Sequence, residues 1–156
     1  MNQREPSSAK NDLQLEAIIP NEKQIECLYQ ELIKRSERSS QNISHETMPS
    51  FEKHTAFVKQ HPYRAWFLVL QAQEVIGSVY AQFDNSVGLQ LSEACTATNI
   101  EAVMSLFRAH LQPLPAKPSQ RFGDFFLNVA YSNENMQQAL DTLGYKATQI
   151  SYVAPK

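Results

Sequence analysis

Glycine is scarce in this chain, four among 156 residues, and none falls between Gly88 and Gly123. A glycine-rich turn that lets the backbone close around a phosphate is therefore excluded from that stretch. Cysteine is rarer still. Cys27 and Cys95 are isolated in sequence, so neither a disulfide framework nor a C-x-x-C metal knuckle can be drawn, and a reducing cytoplasm is the expected setting. No segment approaches the roughly 20 apolar residues of a membrane span, and the opening MNQREPSSAKND has no apolar stretch of signal-peptide length. An excess of one charge is also missing: 14 Lys and Arg meet 16 Asp and Glu. Neither nucleic acid nor a membrane surface is an expected partner, because there is no long-range attraction to either.

The length suits one domain, taken as residues 12–156 after a polar tail, 1–11, that is expected to be flexible. Leu13 to Ile19 reads as a strand stopped by Pro20. Asn21 can cap a helix bearing Ile25, Leu28, Leu32 and Ile33 on one stripe, with Gln24 placed to reach back. After a polar loop, Ser50 can cap a second helix, Phe51 to Gln60, ended by His61-Pro62. Trp66 to Leu70 and Val75 to Phe83 read as strands joined by a turn at Gln71 to Glu74, and Asp84-Asn85-Ser86 turns the chain into a strand from Val87 to Leu91.

A polar turn, Ser92 to Thr98, precedes Ile100, Val103, Met104, Phe107 and Leu111 at helical spacing. The three prolines of QPLPAKPSQ mark a loop. Asp124 to Val129 is a strand, Ser132 or Asn133 caps a helix with Met136, Leu140 and Leu143, and Gly144 is placed as its stop. Tyr145 to Val153 reads as a closing strand. The order β-α-α-β-β-β-α-β-α-β predicts an α+β fold, a mixed sheet flanked by helices in α/β/α layers.

The closing segment NVAYSNENMQQALDTLGYKATQISY resembles the GCN5-related N-acetyltransferase (GNAT) superfamily, over nearly the whole chain after the tail. NISH, MPS, His54, FVKQHPYRAWFLV and IGSVY are similar to a branch associated with bacterial surface sugars. The resemblance implies a seven-stranded, mostly antiparallel twisted sheet whose fourth and fifth strands, Val87–Leu91 and Asp124–Val129, splay to admit the pantetheine arm of acetyl-CoA. It also implies acetyl transfer to a primary amine of a small molecule, an amino sugar or nucleotide sugar, by direct attack and without metal. A homodimer is expected, because superfamily members often pair through sheet edges or terminal strands.

On this resemblance Leu89 and Leu91 offer backbone groups to pantetheine, while Ala94, Thr96, Thr98 and Asn99 face pyrophosphate at a helix start. Asn128 and Asn133 match amide positions near the cofactor arm, although Asn133 is equally a helix cap. The family's phosphate loop, Gln/Arg-x-x-Gly-x-Gly/Ala, is replaced by EACTATN (Glu93 to Asn99), a degenerate loop with hydroxyls and an amide in place of glycines. Leu140 stands where many members carry the tyrosine that protonates the departing thiolate, which leaves Tyr131 as a substitute acid.

His45 and Glu46 are candidate bases on the acceptor side, and His54, Tyr63 and Arg64 are candidate acceptor contacts. Arg64 can grip a phosphate or carboxylate bidentately and Tyr63 can stack on a ring. Ion pairing, core packing and loop-fixing hydrogen bonds are the competing roles for these side chains. His45, His54 and His61, nine and then seven positions apart, lack the spacing of paired metal ligands, so no metal is expected. The missing glycines and Leu140 support an alternative: a non-catalytic GNAT-like ligand- or partner-binding protein that has lost acetyl-CoA chemistry.

Overall fold

The computed structural model describes residues 12–37, 47–91 and 95–156. The tail expected over 1–11, the candidate bases His45 and Glu46, and Ala94 lie outside the described residues. The described chain forms β1 (Leu13–Ala17), α1 (Glu22–Ser36), α2 (Phe51–Lys59), β2 (Ala65–Gln71), β3 (Glu74–Ala81), β4 (Ser86–Leu91), α3 (Ala97–His110), β5 (Phe126–Leu127) and α4 (Glu134–Thr142). The strands make one sheet in sequence order. β1 to β4 pair antiparallel and β5 joins β4 in parallel, a mostly antiparallel α+β sheet of the predicted class.

Strand alternation sorts the apolar residues onto two faces. Phe67, Val69, Val79, Ala81, Val87, Leu89 and Leu91 face α3 and α4, where Ile100, Val103, Met104, Phe107, Met136 and Leu140 complete a core. On the other face Trp66 and Leu68 pack with Ile25 and Leu28 of α1 and Val58 of α2. Helix starts follow the sequence signals. Asn21 Oδ1 accepts from the Gln24 N–H at 2.9 Å, and Gln24 Oε1 in turn accepts from the Ile19 N–H at 2.9 Å. Gly144 adopts φ +83° past the end of α4, a conformation that glycine takes without a Cβ penalty.

Two turns hold the meander together by different means. Ala72 and Gln73 link β2 to β3 with φ of 50° and 67°, the twist-matched hairpin geometry, here without the usual Asn-Gly pair. Asn85, at φ 71° between β3 and β4, is fully buried. Its Nδ2 donates to the Leu114 and Phe122 carbonyls at 2.8 and 2.6 Å, and its Oδ1 accepts from the Leu114 N–H at 2.7 Å. The proline-rich loop is thereby fastened to the sheet.

The closing strand predicted over Tyr145 to Val153 does not form, and the described sheet has five strands rather than seven. Described backbone hydrogen bonds end at Tyr145, whose N–H donates to the Leu140 carbonyl. Ile150, Tyr152 and Val153 stand exposed. Alternating apolar residues carry strand propensity, but a ladder also needs a partner edge. β5 spans only two residues, not the six expected over Asp124–Val129, and offers little edge to extend.

Candidate functional site

The fourth and fifth strands part company almost at once. β5 pairs with β4 only at Ser86–Phe126 and Val87–Leu127. β3 meanwhile runs alongside β4 as far as Leu91. The direction of the exposed backbone groups follows from two bonds. The Ser86 carbonyl accepts from Gln82 of the β3 side, whereas the Asn85 carbonyl accepts from Phe126 on the β5 side. Alternation along the strand then turns the N–H and C=O of Leu89 and Leu91 toward β5, where the described residues provide no strand to meet them. Both side chains are buried in the α3 core, so only their backbone is offered to the gap.

Helix α3 starts a few residues beyond β4. Thr96 is its N-cap, with Oγ1 accepting from the Asn99 N–H at 3.2 Å and its carbonyl accepting from the Ile100 N–H. The N–H groups of Ala97 and Thr98 have no described acceptor, and no acidic residue lies in the first turn. Such a turn presents a partial positive charge to an anion. Thr98 is exposed, while Asn99 is buried. Cys95 Sγ sits 3.5 Å from Met136 Sδ, tying the helix start to α4, and burial pushes its thiol pKa up.

Across the gap, Asn128 is exposed just past β5 and Asn133 caps α4, its Oδ1 accepting from the Met136 N–H at 3.3 Å. Tyr131, 88% exposed, lies on the turn between them. Leu140 packs into the core of the α3 face and can donate no proton.

On the opposite face, α1 and α2 cover the sheet. His54 is buried there, its Nε2 donating to the Ile25 carbonyl at 3.0 Å in the Nε2–H tautomer, and its ring lies 5.1 Å from that of Tyr29. Burial pushes its pKa down, so the neutral ring joins the two helices. Tyr63 stacks on Tyr80 at 3.9 Å and 11°, and Trp66 meets Tyr63 edge-on at 5.1 Å. The stack is possible because Gly88 stands opposite Tyr80: a Cβ there would fall 2.1 Å from Tyr80 Cζ. Four buried polar atoms have no hydrogen-bond partner among the described residues: Arg35 Nε, Arg64 Nη1, Trp66 Nε1 and Ser86 Oγ.

The structure thus brings Leu89, Leu91, Thr96 and Thr98 to one end of the splayed strands, and sets Tyr63, Arg64 and His54 on or beside the α1–α2 side. Arg35, Tyr80 and Gly88 escaped the sequence reading. Their meeting depends on cross-strand register and on where α1 ends, neither of which leaves a local motif. Among the described residues no group of His, Cys, Asp and Glu can hold a metal ion, and no helix is long and apolar enough to cross a membrane.

No protein-family profile matches this sequence, and neither does any curated protein. Solved structures do match. An integron cassette protein from the mobile metagenome of V. cholerae superposes with a TM-score of 0.60 at 8% identity over 93% of both chains. Aminoglycoside N-acetyltransferase AAC(6')-Iy, solved in complex with CoA, gives 0.55 at 14% identity over 96% of this chain and 98% of its own. RimL, a ribosomal L7/L12 alpha-N-protein acetyltransferase in complex with coenzyme A, gives 0.50 at 17% identity over 65% of this chain. The match spans 64% of the RimL chain, less than two thirds of its length. These likenesses establish a shared fold with acetyltransferases of known structure.

Proposed function

We propose that residues 12–156 form one GNAT-like acyltransferase domain that transfers acetyl from acetyl-CoA to a primary amine of a small molecule, an amino sugar or nucleotide sugar. The observation that carries this reading is the open edge of β4 at Leu89 and Leu91, next to the acid-free start of α3. Acetyl-CoA supplies the activated thioester carbonyl. The Leu89 and Leu91 backbone groups suit the amides of an extended pantetheine, as an added strand would. The Ala97 and Thr98 N–H groups, without an acceptor among the described residues, suit its pyrophosphate, with the Thr98 hydroxyl beside them and Ala94 ahead of them in sequence. Asn128 and Asn133 flank the arm from the β5 side.

During transfer, the amine nitrogen bonds to the carbonyl carbon, a β4 backbone N–H donates to the developing oxyanion, and the carbon–sulfur bond breaks. His45 or Glu46 takes the amine proton, and Tyr131 gives one to the leaving thiolate. Tyr63, Arg64 and His54 belong to the acceptor side. A cytoplasmic setting goes with this reading, since Cys27 and Cys95 are both free thiols. A homodimer goes with it as well, because the exposed Ile150, Tyr152 and Val153 would gain cover from a second copy. Calorimetric titration with acetyl-CoA tests the enzyme reading: saturable binding is expected, and its absence at millimolar ligand overturns it.

One observation favours a second reading, a non-catalytic ligand- or partner-binding protein. The buried Leu140 leaves the position of the usual thiolate acid without a donor. Thiol release from acetyl-CoA with a panel of amines separates the two, since reproducible turnover rules out the non-catalytic one.

A further inference from the structure

The last turn of α1 ends on Lys34 and Arg35, and the two behave differently. Lys34 pairs with Glu31 at 3.1 Å near solvent. Arg35 is partly buried, its Nε has no partner among the described residues, and its electrostatic neighbours are the phenols of Tyr80 and Tyr63 rather than a carboxylate. The pull of the helix C-terminus accounts for a cation at this end, but not for a guanidinium whose partly buried Nε has no acceptor among the described residues.

The surroundings are rich in donors. Tyr63 and Tyr80 are stacked, and burial pushes the Tyr63 phenol up and keeps it neutral. Ser86 lies two positions before Gly88 and so on the same side of β4 as Tyr80's cross-strand partner. Its hydroxyl is buried and has no partner among the described residues. Arg64 follows Tyr63 directly and carries a second buried guanidinium nitrogen without an acceptor among the described residues. Arg35 Nε, Arg64 Nη1 and Ser86 Oγ are buried donors without an acceptor among the described residues, and a guanidinium is suited to an oxyanion because it binds one in a fixed, charge-assisted geometry.

We propose that Arg35, together with the Tyr63 and Tyr80 phenols, forms a recognition site for an oxyanion on the acceptor, a carboxylate or a phosphate. The acceptor is thus an amine that carries an acidic group, and the stacked phenols form one wall against its ring. The acceptor's amine rests on the acetyltransferase reading; the anion site does not.

The test is calorimetric titration of the full chain, without acetyl-CoA, with inorganic phosphate, glucosamine, glucosamine 6-phosphate and muramic acid. The last three share a ring amine and differ in bearing no anion, a phosphate or a carboxylate. At least one anionic sugar is expected to bind about tenfold or more tighter than glucosamine, and Arg35→Met is expected to remove that advantage. Arg35→Met should melt no lower than the natural chain, because it removes a partly buried cation whose Nε has no partner among the described residues. Equal affinity for glucosamine and both acidic sugars, or unchanged affinities in Arg35→Met, overturns the proposal. Should that variant fail to fold, Tyr63→Phe decides: a several-fold loss of the anionic sugar supports the site, and no loss overturns it. Retained anion binding without any acetyl transfer would sink the acetyltransferase reading alone.

Discussion

Asn85 and Leu114 hold each other through a closed pair of hydrogen bonds, Oδ1 accepting at 2.7 Å and Nδ2 donating at 2.8 Å. A side-chain amide here plays the part of a neighbouring strand for the proline-rich loop. Aspartate cannot replace it, because its carboxylate would face the Leu114 and Phe122 carbonyls with no hydrogen to offer. Asn85→Asp is expected to cost about 3 kcal/mol at neutral pH, from lost bonds and an unsatisfied buried charge. Urea unfolding checks this, and part of the loss should return in acid, where the protonated carboxyl regains a donor.

Gly88 and Tyr80 provide a second test. Gly88→Ala sets a Cβ against the Tyr80 ring and is expected to cost about 1–3 kcal/mol by overpacking. Adding Tyr80→Leu should recover much of that loss, so a thermal-melt double-mutant cycle is expected to be strongly non-additive. Additive losses would show that the clash is relieved elsewhere.

His54 gives the stability a pH dependence with a definite sign. Burial lowers its folded pKa below the ordinary value of 6.5, so the unfolded chain binds more protons near that pH. Its contribution is full above the unfolded pKa and is lost as pH falls through the folded one. His61 is shifted the same way by burial and adds to the effect. The urea midpoint should therefore fall between pH 7.5 and 5, and fall less in His54→Gln.

Ala97→Pro isolates one proposed phosphate donor. Ala97 is the first residue of α3, where proline is well tolerated, and Thr96 before it is already extended at φ −104°, ψ 155°, as a pre-proline residue prefers. The substitution deletes one N–H and little else. Acetyl-CoA affinity is expected to fall about tenfold, the scale of one hydrogen bond to a charged group, with the melting temperature unchanged. Unchanged affinity would place the pyrophosphate elsewhere.

Residues 147–156 supply a test of self-association. They are exposed and make no described backbone hydrogen bonds, so their removal should change monomer stability by less than about 0.5 kcal/mol. If a second copy covers Ile150, Tyr152 and Val153, light scattering should show the natural chain as a dimer and the truncated one as a monomer. An identical mass for both chains would refute that role.

The elements that the sequence announced are those whose signals are local. Asn21, Ser50 and Asn133 cap the helices they were read to cap, and Gly144 ends α4, because a cap and its partner lie within four residues. The meander from Trp66 to Leu91 was likewise visible in alternation and turn chemistry. Three features were not. Tyr145 to Val153 has the pattern of a strand, but pairing is decided by an edge far away in the chain. Asn85 looked like an ordinary turn residue, since its partners Leu114 and Phe122 are 29 and 37 positions distant. Arg35 stands at a helix end, where a cation is ordinary, and only the placement of Tyr63 and Tyr80 gives it a different environment.

The chain has a single tryptophan, and it is Trp66, in edge contact with Tyr63 and 5.2 Å from His61. Its emission is therefore a built-in reporter on the aromatic wall beside Arg35. Excitation of Tyr63 or Tyr80 should pass to Trp66 over these short distances, and any ligand that parts the stacked phenols will change both its colour and its yield. Occupancy of this face can be followed optically in the unlabelled protein.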